Sequence, residues 1–371
     1  MKIAVLGAGM VGRAMAIDLV ANFDVTSFDV SQQSLELLAQ KNNSIQTIQT
    51  DLSDYGSYNT LLNGFDFVVC AVPGFMGYQA LEAIITANKN VVDISFFPED
   101  ALQLDALAKQ HNVTAIVDCG VAPGMSNLIL GYHNARMKIT NFECMVGGLP
   151  IKRTKPFEYK APFSPIDVLE EYTRPARYVE NGFIVTKPAL SDAEMIDFEK
   201  VGTLESFNTD GLRSILFTMC HIPNMKEKTL RYPGHIDLMK GLIKAGFLDT
   251  AKVNVKGQQI SPMEFTSALL FDQWKLGATE AEFTFMTIKV SNDERSISYE
   301  LYDEYNEATQ TSSMSRTTGY TCTAAVNMLA NNLFSEKGVF PPELIGQDES
   351  CFSFILNYLK ERNVIYTKTE G

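Results

Sequence analysis

Short apolar runs alternate with amphipathic helical stretches through the first 120 residues. The runs at 2–6, 25–29, 45–51, 67–72, 90–94 and 114–118 are strand candidates, and the stretches 12–22, 78–87 and 101–110 have helical periodicity. Strands that alternate with helices at this spacing predict a parallel, doubly wound sheet. Ligands of such sheets bind outside the carboxyl ends of the strands, so the loops after these runs are predicted to line a cleft.

The pattern changes at about residue 139, where single apolar and polar positions begin to alternate. The segments 283–291 and 296–305 flank the polar turn 292–295 and predict an antiparallel hairpin. Weaker strand candidates are 139–146, 183–187 and 201–207, and helices are predicted at 165–172, 212–219, 235–245 and 261–271. This half of the chain has the pattern of an α+β domain with a mainly antiparallel sheet.

A strongly apolar stretch near the end, 319–334, predicts a helix that packs back against the first half. A length of 371 residues suits two domains. The predicted organisation is α/β: a Rossmann doubly wound parallel sheet over 1–125 with the returning helix at about 319–345. An α+β domain for substrate binding and dimerisation is predicted over 126–318 with 346–371.

A glycine-rich turn joins the first strand to the first helix. Gly7, Gly9 and Gly12 follow the run KIAVL directly, with Met10 and Val11 opening the helix. The first glycine permits the tight turn, the second lets a pyrophosphate approach the backbone, and the third lets helix and strand pack closely. An ordinary glycine turn is the alternative, but the strand before it and the helix after it favour a dinucleotide site.

Asp29, at the end of the second strand candidate, bears on the choice of cofactor. A carboxylate there accepts hydrogen bonds from the adenosine ribose and repels a 2′-phosphate. The next residues, 30–33, contain no Lys or Arg. NAD is therefore predicted rather than NADP. The other predicted cofactor contacts lie in strand-end loops: Asp51, Leu52, Ala71, Val72, Pro73, Cys119, Gly120 and Val121.

The charge balance and the cysteines narrow the kinds of protein with which the sequence is compatible. The 31 Lys and Arg against 44 Asp and Glu give a formal net charge of -13. This argues against a broad nucleic-acid or anionic-membrane surface. The six cysteines are scattered and have no metal-ligand spacing, so we expect reduced thiols, no metal site and a cytoplasmic protein. No segment approaches 18 uninterrupted apolar residues, so the sequence predicts no membrane-spanning helix.

Several longer motifs add a resemblance over nearly the whole chain. They are GAGMVG (7–12), VVDIS (91–95), VDCGVAPGMSN (117–127), VGGLP (146–150), PFSPIDVLEEYTRPAR (162–177), TDGLRS (209–214), EKTLRYPGH (227–235) and RTTGY (316–320). The chain thus resembles the saccharopine dehydrogenase-like family of NAD(P)-dependent amine and imine oxidoreductases. The DCGVAPGMSN and EEYTRPAR stretches are most similar to the lysine 6-dehydrogenases. Saccharopine reductases carry Asp-Pro-Gly where this chain has Ala122-Pro123-Gly124.

The resemblance implies an NAD-dependent enzyme that oxidises the CH–NH group of an amino acid, with the ε-amine of L-lysine as the leading substrate. Saccharopine or a related carboxyalkyl amine is the alternative, and an NAD-bound sensor without turnover is a third. A homodimer or higher homo-oligomer is expected by analogy with the fold. Such chemistry needs a neutral amine, a hydride-bearing carbon held against the nicotinamide, and a cation for the distant carboxylate.

The family-like motifs supply the candidates for these tasks. Arg213 and Arg231 are the candidate carboxylate anchors, although either could be a structural ion pair. His235 could orient the substrate or move a proton, or it could cap a helix or pack in the core. Asp118 could meet the substrate ammonium or the nicotinamide ribose, or it could cap the following helix.

The EEYTRPAR stretch and a neighbouring loop supply two more candidates. Tyr172, next to Glu171 and near Arg177, belongs to a segment that could close over the substrate or form a solvated helix end. Phe96 is predicted to wall the pocket.

Overall fold

The structure is a computed structural model that describes residues 1–277 and 279–371. Its strands are β1 (Lys2–Leu6), β2 (Asp24–Asp29), β3 (Gln46–Gln49), β4 (Phe67–Cys70), β5 (Asn90–Asp93), β6 (Thr114–Ile116), β7 (Asn141–Pro150), β8 (Ala176–Glu180), β9 (Phe183–Lys187), β10 (Glu194–Phe198), β11 (Gly202–Asn208), β12 (Asn224–Arg231), β13 (Val253–Val255), β14 (Gln258–Ile260), β15 (Glu282–Ser291), β16 (Ser296–Glu304), β17 (Gly338–Phe340) and β18 (Tyr366–Glu370). Its helices are α1 (Met10–Leu19), α2 (Gln32–Lys41), α3 (Tyr58–Leu61), α4 (Gly74–Thr86), α5 (Asp105–Gln110), α6 (Met125–Asn134), α7 (Pro165–Thr173), α8 (Ile215–Thr218), α9 (His235–Lys244), α10 (Pro262–Trp274), α11 (Ser313–Ala330), α12 (Pro342–Ile345) and α13 (Glu349–Glu361).

The first sheet is parallel throughout and has the order β17-β6-β5-β4-β1-β2-β3. Its central strands are apolar and buried because helices cover both faces. The order reverses between β1 and β4, and Gly7 (φ 110°) follows β1 at this switch point. A Cβ atom on Gly7 would lie 2.5 Å from the carbonyl oxygen of Ala71, so only glycine fits there. The predicted doubly wound sheet is confirmed.

The second sheet is mixed and mostly antiparallel. Its main path is β10-β11-β12-β7-β15-β16-β18, and β8 and β9 branch from β12. The predicted hairpin is present, with Phe283 opposite Glu304 and Ser291 opposite Ser296. Strands β7 and β12 run parallel to each other at the centre of this sheet. The predicted combination of a Rossmann domain with a mainly antiparallel sheet is confirmed.

Three sequence-based predictions of elements were wrong in detail. The predicted helix at 212–219 shrinks to α8, because Arg213 adopts a left-handed conformation (φ 49°). The late helix begins six residues before Gly319, where Ser312 caps it by accepting from the Ser315 amide, and it ends at Ala330. Its polar first turns gave no apolar signal. Strand β12 was missed because its charged residues, 226–228, resemble an exposed turn.

The chain returns to the first sheet before it ends in the second. Helix α11 packs on α1, β17 adds to the edge of the first sheet beside β6, and β18 pairs with β16. The carboxylate of Asp18 links α1 to α11 and α13. It accepts hydrogen bonds from Thr323 of α11, from Tyr358 of α13 and from Arg362 directly after α13. Within the described residues, no helix is both long and apolar enough to cross a membrane.

Candidate functional site

A cavity of about 760 Å³ lies between the carboxyl ends of the first sheet and the second domain. One end is lined by the glycine-rich turn and by the loops after β2, β3, β4 and β6. The lining residues here include Gly7, Gly9, Met10, Val11, Gly12, Asp29, Asp51, Leu52, Ala71, Val72, Pro73, Gly120 and Val121. The other end is lined by α7, β7, β12 and the loop after β11. The two halves of the chain thus share one cavity.

The glycine-rich end offers a cradle for a pyrophosphate. A Cβ atom on Gly9 would meet no atom within 4 Å, so it would project into the open cavity where a ligand approaches the backbone. A Cβ atom on Gly12 would lie 2.0 Å from the carbonyl oxygen of Gly7, so a glycine at position 12 is what allows the turn and the helix to pack this closely. Helix α1 has no side-chain cap, so its first amides remain available to an anion. These residues fit a dinucleotide.

Asp29 fixes the turn around this cradle. Its two carboxylate oxygens accept from the amides of Ala8 (2.6 Å) and Ser31 (2.7 Å). Its side chain also lines the cavity, where a ribose would approach. Arg13 lies nearby on α1. Burial lowers the pKa of Arg13, and the charge of Asp29 opposes this shift. Sequence reasoning looked for a cation only after β2 and missed Arg13, which lies on α1, before the strand begins.

Asp118 and Arg213 form a buried ion pair. Arg213 Nε lies 2.7 Å from Asp118 Oδ1, and its Nη1 donates to the carbonyl oxygen of Phe97. The guanidinium also lies 4.8 Å from the ring centre of Phe96, which lines the cavity. Both paired residues have positive φ (52° and 49°), a conformation that costs free energy and is concentrated at functional sites. Burial raises the pKa of Asp118 although Arg213 opposes this.

Arg231 begins a chain of hydrogen bonds that leads away from the cavity. Its Nη2 lies 2.7 Å from Glu171 Oε2, and its Nε donates to the hydroxyl oxygen of Tyr172 (2.8 Å). The Tyr172 oxygen and His235 Nε2 are 3.0 Å apart, and His235 Nδ1 lies 2.8 Å from the carbonyl oxygen of Phe157. Arg231 and Glu171 line the cavity, while Tyr172 and His235 are buried behind them.

The direction of this chain follows from its last acceptor. A carbonyl oxygen only accepts, so Nδ1 of His235 carries the proton and Nε2 accepts from the Tyr172 hydroxyl. Burial and the nearby Arg231 charge lower the pKa of His235 to about 3. His235 is therefore neutral near pH 7 and orients Tyr172, which in turn holds Arg231 in place.

Two further ion pairs lie beside the cavity. Arg177 donates two parallel hydrogen bonds, of 2.9 and 2.8 Å, to the carboxylate of Asp210. Arg174, at the end of α7, pairs with Glu170 and lies 5.2 Å from the ring centre of Phe96. Its Nη1 is buried and has no hydrogen-bond partner among the described residues. Arg174 therefore keeps a donor for a ligand. Sequence reasoning quoted the motif that contains it but did not select it.

Glu227 is one of the cavity carboxyl groups that sequence reasoning missed. On β12 it shares one face with Thr229 and Arg231, and all three line the cavity. The intervening Lys228 points to the opposite face, where it pairs with Glu194. The signal was available as alternation of cavity-facing residues at 227, 229 and 231, but only if the segment is recognised as a strand.

The predicted site residues thus fall into two groups. Asp118, Phe96 and Arg231 line the cavity with the predicted cofactor contacts, whereas Tyr172, His235 and Arg213 support it from behind. Cys119 is directed away from the cavity, and its thiol faces the carbonyl oxygen of Thr321 on α11. Among the described residues, no group of three His, Cys, Asp or Glu side chains is arranged to hold a metal ion.

Comparison with known proteins agrees with this architecture. The family model of the saccharopine dehydrogenase NADP binding domain matches residues 3–116, and that of the saccharopine dehydrogenase C-terminal domain matches residues 120–365. A solved structure of apo saccharopine dehydrogenase (L-Glu forming) from Saccharomyces cerevisiae superposes with a TM-score of 0.80 at 19% identity, covering 100% of this chain and 99% of that one. At this identity the likeness establishes the fold.

Two curated relatives match most of this chain but extend well beyond it. Mitochondrial alpha-aminoadipic semialdehyde synthase from Mus musculus is 22% identical over 283 residues, which are 72% of this chain and 31% of the relative. Saccharopine dehydrogenase [NADP(+), L-glutamate-forming] from Pyricularia oryzae is 25% identical over 262 residues, which are 67% of this chain and 58% of the relative. The matched part of the chain therefore spans 31% of the first relative and 58% of the second.

Proposed function

The chain belongs to the saccharopine dehydrogenase family, and we propose that it is an NAD-dependent dehydrogenase that oxidises an amine-bearing carbon of a cationic amino acid. L-Lysine is the leading substrate. Its ε-carbon gives up a hydride, and water hydrolyses the resulting imine to an aldehyde with release of ammonia. Oxidation of saccharopine, the activity for which the relatives are named, is the alternative.

The acidic character of the cavity beyond the glycine-rich end carries this proposal. The described lining residues there include six carboxyl groups and two guanidinium groups: Asp118, Asp167, Glu170, Glu171, Asp210 and Glu227, with Arg174 and Arg231. Arg177 and Arg213 add two guanidinium groups from behind the lining. Acidic groups stay in excess, which favours a substrate with two ammonium groups and one carboxylate over saccharopine with its three carboxylates.

Particular residues supply the remaining requirements. The free Nη1 of Arg174 suits the substrate carboxylate, since a guanidinium donates to it with good geometry. Phe96, against which both Arg174 and Arg213 rest, gives that end of the cavity an apolar wall. The glycine-rich cradle would hold the dinucleotide, which would supply the hydride acceptor for the substrate carbon. The loops after β4 and β6 line the same cavity and would orient the two.

The preference for NAD rests on Asp29. Its carboxylate lies at the end of β2 and lines the cavity, where it suits ribose hydroxyls and repels a 2′-phosphate. The matching family model is named for NADP, and Arg13 lies nearby. We favour NAD because both Asp29 oxygens are fixed by backbone amides, so its charge cannot swing away from the ribose position.

An absorbance assay with purified protein tests the proposal. We expect NADH formation with L-lysine, one ammonia released per NADH, and slower reaction with NADP. Formation of NADH with saccharopine but not lysine would establish the alternative. Tight NAD binding without reduction by saccharopine, lysine or any other basic amino acid would contradict both and indicate a binding protein.

A variant pair examines the carboxylate anchor. Arg174→Met should raise KM for lysine roughly tenfold or more and leave KM for 1,5-diaminopentane, which lacks the carboxylate, unchanged. Arg136→Met, which removes an exposed ion pair with Glu349, is the matched control and should change neither value.

A further inference from the structure

We propose that Glu227 receives the reacting ammonium of the substrate and takes its proton, an assignment that rests on the proposed function. The dehydrogenation needs a neutral amine, because a hydride leaves a carbon only when the nitrogen can donate its lone pair. A residue that takes the proton must face the cavity and must be free to bind a cation.

The backbone holds Glu227 in position to do this. It lies on the central strand β12, which pairs with β7 on one side and β11 on the other. Its side chain is buried, 6% exposed, and it lines the cavity. A Cβ atom on Gly211 would lie 1.7 Å from Glu227 Oε1, so the carboxyl group rests directly against the backbone of that glycine. A larger residue at 211 would displace it.

The charge pattern around the cavity leaves Glu227 without a cation. Asp118, Glu171 and Asp210 are each within hydrogen-bond distance of an arginine. Glu227 has neither a hydrogen bond nor an ion pair to its carboxyl group among the described residues. Buried carboxylates are ordinarily paired. The ammonium of the substrate would supply the missing cation, and so this position selects amines.

The neighbouring acids that are paired with arginines cannot take over this task at the same cost. Protonation of Asp118 or Glu171 would leave Arg213 or Arg231 as a buried, uncompensated cation. Protonation of Glu227 leaves no such charge. The charged and titratable groups that act on Glu227 come from every packed element: Glu171 of α7, Asp210 and Arg213 of the loop after β11, Asp118 after β6, and Cys144 of β7.

These surroundings also match the affinity of Glu227 for a proton to the task. Burial, followed by the charges of Glu171, Asp210 and Asp118, raises the pKa of Glu227 to about 8, while Arg213 opposes the shift. A base whose pKa lies near the working pH is both available and strong enough.

The step balances as follows. The ionised Glu227 carboxylate takes one proton from the substrate ammonium, breaking an N–H bond and forming an O–H bond. The neutral amine then loses a hydride, with two electrons, to the bound dinucleotide and becomes an iminium ion. Water adds to the iminium carbon, and ammonia leaves. Glu227 returns its proton to solvent or to the departing ammonia before the next turnover.

Steady-state kinetics of Glu227→Gln and Glu227→Asp over pH 6–10 test the proposal. In the wild type we expect kcat/KM for lysine to fall below a pH of about 8, because the protonated carboxyl group cannot accept a proton. Glu227→Gln should lose this limb and lower kcat by roughly 10²–10⁴-fold, with the Kd of NAD unchanged. Glu227→Asp should keep the limb at a lower kcat.

A stability measurement separates loss of function from loss of fold. The folded-state pKa of Glu227 is raised, so its ionised form destabilises the protein above the ordinary glutamate pKa. Glu227→Gln should therefore melt at no lower temperature than the wild type at pH 8. Glu227→Gln with wild-type kcat and an unchanged pH limb would overturn the inference alone. A wild-type protein that oxidises no lysine would overturn the proposed function and the inference with it.

Discussion

The two ends of the cavity recognise their ligands by different means. The glycine-rich end is built from backbone: the turn at Gly7, the open face of Gly9 and the uncapped amides of α1. The opposite end is built from buried charged side chains, for example the ion pair of Arg231 with Glu171, both of which line the cavity. Backbone amides need no charge to bind a phosphate, whereas each buried charge depends on its partner.

This difference determines what a substitution at each end does to ligand binding and to the stability of the fold. A small side chain at Gly9 of the backbone end is expected to block a ligand and leave the fold intact, because a Cβ atom there meets no protein atom within 4 Å. A substitution at the charged end removes one half of a pair and leaves the other half buried, so the fold is weakened together with binding. Four experiments separate these two modes of failure, and they follow in order of decreasing effect.

The largest effect is expected from Arg231→Met. It leaves Glu171 and Tyr172 without their buried donor, and we expect the free energy of unfolding to fall by about 3–5 kcal/mol. Denaturant titration measures it. The double variant Arg231→Met, Glu171→Gln should recover much of the loss, because the uncompensated charge is gone. A loss below about 1 kcal/mol in the single variant would show that this pair contributes no more to stability than an exposed ion pair does.

Gly9→Ala should weaken cofactor binding roughly tenfold to a hundredfold, since the added methyl group occupies the space of the pyrophosphate. Its melting temperature should stay near that of the wild type, because the methyl group meets no protein atom within 4 Å. Gly241→Ala, at another open glycine in α9, is the matched control and should leave the Kd of NAD unchanged. Equal affinities in all three proteins would place the pyrophosphate elsewhere.

Asp29→Asn should raise the ratio of kcat/KM with NADP to that with NAD by about tenfold, because the repulsion of a 2′-phosphate is removed. Asp51→Asn changes an exposed cavity acid after β3 and should change this ratio much less. Parallel rate measurements with both cofactors give the answer. A wild-type protein that already prefers NADP would show that Arg13 outweighs Asp29.

The smallest effect is expected from pH on His235. Its pKa is lowered to about 3, chiefly by burial, so the neutral ring persists over pH 5–8 and the hydrogen-bond chain to Arg231 is unaffected. The ring resonances, assigned with His235→Gln, should show no titration over this range by NMR. A midpoint between pH 5 and 8 would show that His235 is a proton carrier instead.

The sequence predicts the backbone end well, because its signals are local. The offsets between Gly7, Gly9 and Gly12, the strand before them and the acid at position 29 are all short-range features. The structure places these residues together along one end of the cavity. Cys119 differs because its direction depends on α11, which lies some two hundred residues later in the chain.

The charged end is harder to predict, since pairing depends on tertiary contacts. Arg213 meets Asp118 across 95 residues, and Arg231 meets Glu171 across 60. Nothing in a linear motif shows which arginine is already occupied and which, like Arg174, keeps a free nitrogen. Glu227 is a stronger case: a charged residue in the run KEK suggests solvent exposure, and only its place on β12 puts it inside the protein.

The late strand β17 has a consequence for how the protein can be divided. It covers the outer side of β6, and α11 covers α1, although both come from beyond residue 312. A fragment that stops near residue 125 would contain every strand of the nucleotide-binding motif but would expose the backbone groups of β6 and an apolar helix face. Open edges of this kind invite pairing with other chains. The first half of the chain therefore depends on residues after 312 to cover its sheet edge and its apolar helix face.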